Sequence, residues 1–155
     1  MKFSTREDIE APIRDVFEML SDFSVYERAA MRRGAEVRRT DRLAQPGLGA
    51  TWQVQFKLRG KQRQLDLEVV KYAAPTDLVV SLTSKNITGQ VTCELFALSR
   101  ARTRIICAIE VKPLTLTARL LIQSLKLTKK SLDQKYKDRV AELITDMEDR
   151  YSRFA

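Results

Sequence analysis

The sequence predicts an α+β fold in which a curved antiparallel sheet of about seven strands packs against two short helices and one long C-terminal helix. Three observations carry this prediction. Apolar residues recur at helical spacing in residues 12–33, alternate with polar residues in 36–112, and return to helical spacing after Pro113. The alternating segments are joined by short connections, and short connections require antiparallel pairing.

The N-terminal part of the chain begins with an alternating segment, residues 2–10, which we interpret as the first strand. Pro12 stops the strand and suits the first turn of a helix, because its ring presets φ and its missing N–H is not needed there. Residues 12–20 place apolar side chains three or four apart, which predicts a short amphipathic helix. Residues 23–33 predict a second short helix that ends at Gly34.

Six further strands follow from the period-two pattern that starts after Gly34. A segment rich in turn residues, Ala44 to Gly49, separates the first of them from the rest. In the next segment Trp52 and Val54 point to one side of the strand while Gln53 and Gln55 point to the other. The predicted strands occupy residues 36–41, 52–58, 65–69, 78–83, 90–98 and 104–112.

The C-terminal segment contains no Gly or Pro after Pro113, and its apolar residues form one stripe at helical spacing. This pattern predicts one continuous helix of about 35 to 40 residues with a mixed-charge outer face. A helix of this length needs a long apolar surface, which the concave face of the sheet supplies. The stripe comprises Leu121, Leu125, Thr128, Leu132, Tyr136, Val140, Leu143, Met147 and Tyr151.

Length and composition exclude several classes of protein. A chain of 155 residues is about the size of one domain, so we expect a single domain spanning residues 1–155. No stretch approaches the roughly 20 apolar residues of a membrane-spanning helix. The first residues carry charges where a signal peptide would need an apolar run. We therefore expect a water-soluble, cytoplasmic protein.

The absence of histidine limits the chemistry that the chain can perform. A nucleophilic system that depends on histidine and a histidine-ligated zinc site are both excluded, and two cysteines cannot complete a structural zinc site. We predict no metal and no cofactor. Cys93 and Cys107 lie on either side of a predicted turn near Arg100, so they are placed to face each other across a hairpin. In a reducing compartment we expect both to be free thiols.

The net charge of +8 raises the question of a polyanionic partner. We favour the interpretation that these cations keep a basic protein soluble, so no specific nucleic acid is expected and contact with anionic surfaces should be weak. The pattern does not define an oligomeric state. One cluster comprises Arg28, Arg32, Arg33, Arg38, Arg39 and Arg42, and the other comprises Lys57, Arg59, Lys61 and Arg63 around a predicted hairpin tip.

The chain resembles a known superfamily in two motifs. Residues 9–23 match the pattern I-x-A-P-x-x-x-V-F-x-x-L-x-D-F, and the segment from Gly47 to Trp52 resembles the glycine-containing lead into the third strand. These motifs and the order of elements are similar to those of the START-related helix-grip superfamily, which includes polyketide cyclase-like proteins, the birch pollen allergen and lipid-transfer domains. The position where that superfamily commonly has Trp is Tyr26 here. The resemblance implies a helix-grip fold over the whole chain.

The helix-grip architecture implies a cavity between the sheet and the apolar stripe of the long helix. Strand alternation places a nearly all-hydrocarbon set on the inner side, to which Trp52 adds one hydrogen-bond donor. The same residues are also typical of an ordinary filled core, and both interpretations remain open. The predicted ligand-binding residues are Trp52, Val54, Phe56, Leu67, Val69, Val80, Leu82, Val91, Cys93, Cys107, Thr128 and Tyr136; Leu65, Leu78, Leu95, Ile105 and Ile109 share the inner phase.

The leading function hypothesis is binding or transport of a hydrophobic small molecule, because apolar burial contributes roughly 25 cal/mol per Å². The resemblance also leaves open a polyketide cyclase or aromatase-like enzyme, and the charge leaves open an interaction module without a cavity that uses its basic surface. No catalytic residue is predicted. The alternation places the strand carboxylates on the wet outer side, and we predict that residues 44–49 and 114–121 gate entry. These carboxylates are Asp66, Glu68, Glu94 and Glu110, with Glu18 facing water on the first helix.

Overall fold

A computed structural model describes residues 1–154 and confirms the predicted α+β fold. Seven strands form one antiparallel sheet, and four helices follow the same order as the sequence patterns. The strands are β1 (Lys2–Ile9), β2 (Glu36–Arg39), β3 (Thr51–Leu58), β4 (Lys61–Ala73), β5 (Asp77–Thr83), β6 (Ile87–Ser99) and β7 (Arg102–Pro113). The helices are α1 (Ile13–Leu20), α2 (Phe23–Arg32), α3 (Leu116–Leu125) and α4 (Lys129–Phe154).

The sheet has the strand order β1-β7-β6-β5-β4-β3-β2, with every neighbouring pair antiparallel. This order places the β3–β4 turn, the β5–β6 loop, the start of β1 and the end of β7 at one end of the sheet, which we call the upper end. The β4–β5 and β6–β7 turns lie at the lower end. At the upper end Arg59 and Gly60 both have positive φ, of 53° and 75°, as a tight two-residue hairpin turn requires.

A filled core occupies the lower part of the concave face. Ile9 in β1, Ile105 in β7 and Val69 in β4 are fully buried there, together with Val16 of α1 and Met147 of α4. These apolar side chains come from five different elements, so their burial fixes how the helices lie on the sheet. The lower end of the molecule is therefore the well-packed end.

The C-terminal segment differs from the predicted single helix. A 3-10 segment, Lys126–Thr128, separates α3 from α4. The hydroxyl groups of Ser124 and Thr128 donate hydrogen bonds to the carbonyl oxygens three residues earlier, at 2.7 Å and 3.1 Å. Such side-chain hydrogen bonds compete for helix carbonyls, and a 3-10 turn is the tighter geometry that accompanies them. The predicted long C-terminal helix is confirmed over Leu116–Phe154, and the 3-10 turn within it is the difference, since apolar spacing says nothing about these hydroxyls.

None of the helices within residues 1–154 has the length and apolar character that crossing a membrane requires.

Asp41 anchors the long connection between β2 and β3. Its carboxylate accepts two hydrogen bonds from the Arg39 guanidinium, at 2.6 and 2.9 Å, and one each from the backbone N–H groups of Leu43 and Thr51. These hydrogen bonds hold the pKa of Asp41 well below its usual range, and the one from Arg39 has the largest effect. A carboxyl group with a lowered folded-state pKa stabilises the fold above its unfolded pKa of about 3.9, and this contribution is lost as pH falls through the folded value.

We expect Asp41→Asn to lower the melting temperature at neutral pH, because the amide cannot accept the charge-assisted hydrogen bonds from Arg39. The difference from the wild-type protein should shrink as pH falls below about 4, because Asp41 then begins to protonate in the unfolded wild-type chain while it stays ionised in the folded one. Thermal denaturation followed by circular dichroism between neutral and acidic pH measures both effects. Asp66→Asn, at an exposed position on β4, is the control and should melt like the wild type. A difference that stayed constant across this pH range would contradict the proposed role of the Asp41 carboxylate.

Candidate ligand-binding cavity

A cavity of about 330 Å³ lies between the concave face of the sheet and the helices α2 and α4. Its walls are almost entirely hydrocarbon, and it lies above the filled core, at the level of the middle of the sheet. The lining residues are Leu20, Phe23, Tyr26, Glu27, Ala30, Val37, Trp52, Val54, Leu67, Leu78, Val80, Leu82, Val91, Cys93, Cys107, Tyr136, Val140 and Leu143.

The strand wall of the cavity follows directly from alternation. On β5 the side chains of Leu78, Val80 and Leu82 line the cavity, while the intervening Val79 and Ser81 do not. A strand directs successive side chains to opposite faces, so one face of β5 becomes a continuous apolar surface. Because Val and Leu side chains carry no polar atoms, this wall offers a guest only van der Waals contact.

The helical walls of the cavity are formed by residues at helical spacing, which project from one side of each helix. On α4 the lining residues Tyr136, Val140 and Leu143 are four and three positions apart, so they project from one side of the helix. On α2, Phe23, Tyr26, Glu27 and Ala30 project toward the cavity at spacings of three, one and three, which again describe one face.

Nine of the twelve predicted ligand-binding residues line the cavity. The nine are Trp52, Val54, Leu67, Val80, Leu82, Val91, Cys93, Cys107 and Tyr136.

Three predicted residues lie outside this lining. Val69 is fully buried in the core below the cavity, and Phe56 is half-buried closer to the upper end of β3. Thr128 is exposed on the 3-10 segment, where its hydroxyl group donates to the carbonyl oxygen of Leu125. The inward position predicted for Thr128 is wrong, because the 3-10 turn interrupts the helical phase that connects it with Tyr136. No residue of 44–49 or 114–121 lines the cavity, so the gating role of these segments stays a prediction.

Two tyrosine hydroxyl groups in the lining are already engaged with backbone carbonyl oxygens. Tyr26 donates to Leu20 at 2.7 Å, and Tyr136 donates to Cys107 at 2.7 Å. Burial away from water raises the pKa of both Tyr26 and Tyr136 above the usual value, so both remain protonated donors at neutral pH. Their hydrogen bonds tie α2 to the end of α1, and α4 to β7.

The polar edge of the cavity is formed by Glu27 and Trp52. The indole N–H of Trp52 donates to a carboxylate oxygen of Glu27 at 3.2 Å, and the guanidinium carbon of Arg39 lies 5.2 Å from the centre of the indole ring. The cation therefore faces the aromatic ring at a distance typical of cation–π contacts. Phe23 packs against the same ring, with 5.0 Å between ring centres.

Glu27 and its neighbours on α2 are the lining residues that sequence reasoning missed. The sequence analysis assigned no role to Glu27. The signal that would have found it is the spacing of Phe23, Tyr26, Glu27 and Ala30, which matches one helical face. That face also places Tyr26 at the cavity wall.

The two cysteines face each other across β6 and β7, as the hairpin pattern predicts. Cys93 and Cys107 are paired in register, both are buried free thiols, and their sulfur atoms lie 3.8 Å apart. The short contact with Cys93 and burial both raise the pKa of the Cys107 thiol, so it stays uncharged at neutral pH. The thiols thus add to the apolar character of the wall.

The strand carboxylates lie on the outer side, as predicted. Asp66, Glu68 and Glu94 are exposed, and Glu110 is half-buried and pairs with Lys112 at 3.5 Å. Glu18 on α1 is exposed as well. Among the described residues no group of three or more Cys, Asp and Glu side chains is arranged to hold a metal ion.

A curved antiparallel sheet closed by a C-terminal helix, with two short helices after the first strand, defines the helix-grip fold. The chain adopts this fold, which confirms at the level of architecture the resemblance that its motifs indicated. No protein-family model matches the chain. No curated protein matches it in sequence.

Three solved structures illustrate the similarity. The ZhuI aromatase/cyclase from Streptomyces sp. R1128 superposes with a TM-score of 0.65 and 12% identity, covering 97% of this chain and 95% of that one. Ara h 8.0201 gives a TM-score of 0.58 and 10% identity, covering 97% and 96%. A START superfamily protein from Mycobacterium smegmatis gives a TM-score of 0.55 and 13% identity, covering 88% and 97%. At these identities the likeness concerns the fold alone.

Proposed function

We propose that the protein binds a hydrophobic small molecule in the cavity between the sheet and helices α2 and α4. The observation that carries this proposal is an apolar space of about 330 Å³ above a core that is otherwise filled. Ligand sites in proteins are concave, mostly apolar and about 300 to 1,000 Å³ in volume. This volume falls at the small end of that range, so a compact guest fits it better than a long lipid.

The polar groups of the lining indicate how such a guest is held. The hydroxyl groups of Tyr26 and Tyr136 donate to backbone carbonyl oxygens and are not free to donate to a ligand. A buried polar group without a partner costs free energy, so the guest should present hydrocarbon to most of the wall. The carboxylate of Glu27, at the edge beside Trp52, is the group that would accept a hydrogen bond from a ligand hydroxyl or amine.

The same arrangement favours binding over catalysis. An aromatase/cyclase activity, which one similar structure carries in its name, requires a group that is free to move protons on the substrate. In this cavity the hydroxyl groups of Tyr26 and Tyr136 are committed to the backbone, and Glu27, the one carboxylate of the lining, lies at the edge beside Trp52. We therefore propose a binding or carrier role rather than an enzymatic one.

The single tryptophan provides a direct test, because Trp52 lies in the cavity wall. We expect compact apolar ligands, such as substituted naphthalenes and short isoprenoids, to change the Trp52 fluorescence in a saturable way with one site per chain. Native mass spectrometry of protein purified from its own host should show a bound apolar molecule.

Long-chain fatty acids should bind more weakly than compact ligands, because a long flexible chain loses more conformational entropy when it is confined in a space of about 330 Å³. A protein that is free of any passenger and shows no saturable fluorescence change with the whole ligand panel would overturn the proposal.

A further inference from the structure

The α3 helix and the 3-10 segment after it expose a row of leucines. Leu116, Leu120 and Leu127 have 71%, 58% and 88% of their surface exposed. We call these three residues the leucine face. Exposed single leucines are common on protein surfaces, but several on one side of a helix are typical of a binding face.

The spacing of the leucine face shows that it is one surface. Leu116 and Leu120 are four positions apart on α3, so they point in similar directions, and Leu127 lies on the 3-10 segment that directly continues this helix. The residues that α3 buries against the protein, Ala118 and Ile122, lie on the opposite side of the helix. The core therefore uses one face of α3 and leaves the leucine face without a partner in the described chain.

Cations flank the leucine face, and acids are absent from this part of the sequence. Arg119, Lys126 and Lys130 recur at spacings of seven and four, which makes a basic stripe beside the leucines. Residues 111–132 contain no Asp or Glu at all. Lys129 lies 5.9 Å from the centre of the Phe3 ring.

The leucine face lies at the upper end of the sheet, the same end that carries the second basic cluster. Leu114 donates its backbone N–H to Asn86 in the β5–β6 loop, and Lys129 lies over Phe3 at the start of β1, so both ends of the α3 segment meet the upper end. The β3–β4 turn at that end carries Lys57, Arg59, Lys61 and Arg63 and exposes 51% of Leu58.

We propose that the upper end of the protein docks on the surface of an anionic lipid bilayer. The leucine face would enter the boundary between headgroups and acyl chains, and Arg119, Lys126 and Lys130 would lie beside lipid phosphates. An amphipathic helix with leucines on one face and Lys or Arg beside them is the kind of helix that lies in a membrane interface. A nucleic acid would match the cations but would leave the leucines in water, so a bilayer accounts for both features.

This docking does not depend on whether the cavity binds a ligand, yet it bears on ligand exchange. The cavity lies above the filled core, so docking through the upper end brings the cavity closer to the lipid than the core. A protein that carries apolar molecules would then load or unload them where such molecules are most soluble.

Vesicle co-sedimentation tests the proposal. We expect the wild-type protein to sediment with vesicles of phosphatidylcholine mixed with phosphatidylglycerol and to bind pure phosphatidylcholine much more weakly. Leu116→Gln/Leu120→Gln should lower the partition coefficient by about tenfold or more, because it removes two inserting side chains. Lys126→Gln/Lys130→Gln should also lower it and should weaken its dependence on salt.

Two matched controls separate docking from general attraction of a basic protein to anionic lipid. Leu48→Gln/Leu98→Gln changes two exposed leucines away from the upper end, and Arg42→Gln/Arg100→Gln removes two exposed cations at the lower end. All four double variants change exposed positions, so they should melt like the wild type. A wild-type protein that stays in the supernatant would overturn the proposal, as would controls that lose as much binding as the upper-end variants.

Discussion

Replacing Val80 by Trp should weaken binding of a compact apolar ligand by at least about tenfold while the protein remains folded. Val80 lies in the middle of the β5 wall, between Leu78 and Leu82, and its side chain points into the cavity. An indole at this position would occupy much of the space of about 330 Å³ that a ligand needs. Because that space is empty of protein atoms, the added ring meets less strain than it would in a filled core.

Isothermal titration calorimetry with a substituted naphthalene measures this effect without relying on tryptophan fluorescence, which the variant alters. Val79→Trp is the matched control, since Val79 is the adjacent residue on the same strand and points to the outer face. The control adds the same indole to the same strand, so it should bind the ligand as the wild type does. Wild-type affinity in a folded Val80→Trp protein would show that the ligand does not occupy this cavity.

Replacing Met147 by Ala should destabilise the protein by about 2 to 5 kcal/mol, the largest effect on stability that we expect from one truncation. Met147 lies on α4 and is fully buried in the filled core at the lower end. Truncation removes the apolar contacts of the thioether and leaves a void that rigid neighbours such as Ile9 and Val16 cannot close. Since Met147 does not line the cavity, ligand affinity below the melting transition should change little.

Urea denaturation measures the free energy of unfolding and its dependence on denaturant. We expect the midpoint to fall while the slope stays the same, because the folded and unfolded states expose similar areas in the two proteins. Leu127→Ala is the comparison within the same C-terminal part of the chain: 88% of Leu127 is exposed, so its truncation should change stability by less than about 0.5 kcal/mol. Equal losses from both substitutions would contradict the separation between a packed lower core and an exposed leucine face.

The leucine face and the filled core are separate parts of the molecule. Met147 holds α4 against the lower core, whereas Leu116 and Leu120 contribute nothing to that core. A loss of vesicle binding in Leu116→Gln/Leu120→Gln without a change in melting temperature therefore reports on the surface alone. This independence allows the binding proposal, the docking proposal and the fold to be tested separately.

Local patterns were sufficient to predict most of the architecture. The alternation of Leu78, Val80 and Leu82 identifies both a strand and its inner face, because the period of a strand is two wherever the strand lies. The same rule placed Trp52 and Val54 on the cavity side, and Asp66 and Glu94 on the outer side. Nothing in these inferences required knowledge of which elements become neighbours.

These patterns could not predict which of the inner residues along a strand line the cavity. Val69 and Phe56 share the inner phase with Trp52, yet Val69 packs in the core and Phe56 lies nearer the upper end. Which inner residues enclose a space depends on where α2 and α4 cross the sheet. That crossing is set by contacts between residues far apart in sequence, such as Met147 with the buried residues of α1 and β1.

The sequence by itself determined the fold class, the inner and outer faces of the strands, and the position of Cys93 opposite Cys107 on neighbouring strands. Tertiary structure alone decided that Glu27 accepts a hydrogen bond from Trp52, that Thr128 is exposed, and that a cavity remains above the filled core. The physical reason is that alternation and helical spacing are local properties of the backbone. A cavity, by contrast, is the volume that several elements leave unfilled when they pack, and no single element encodes it.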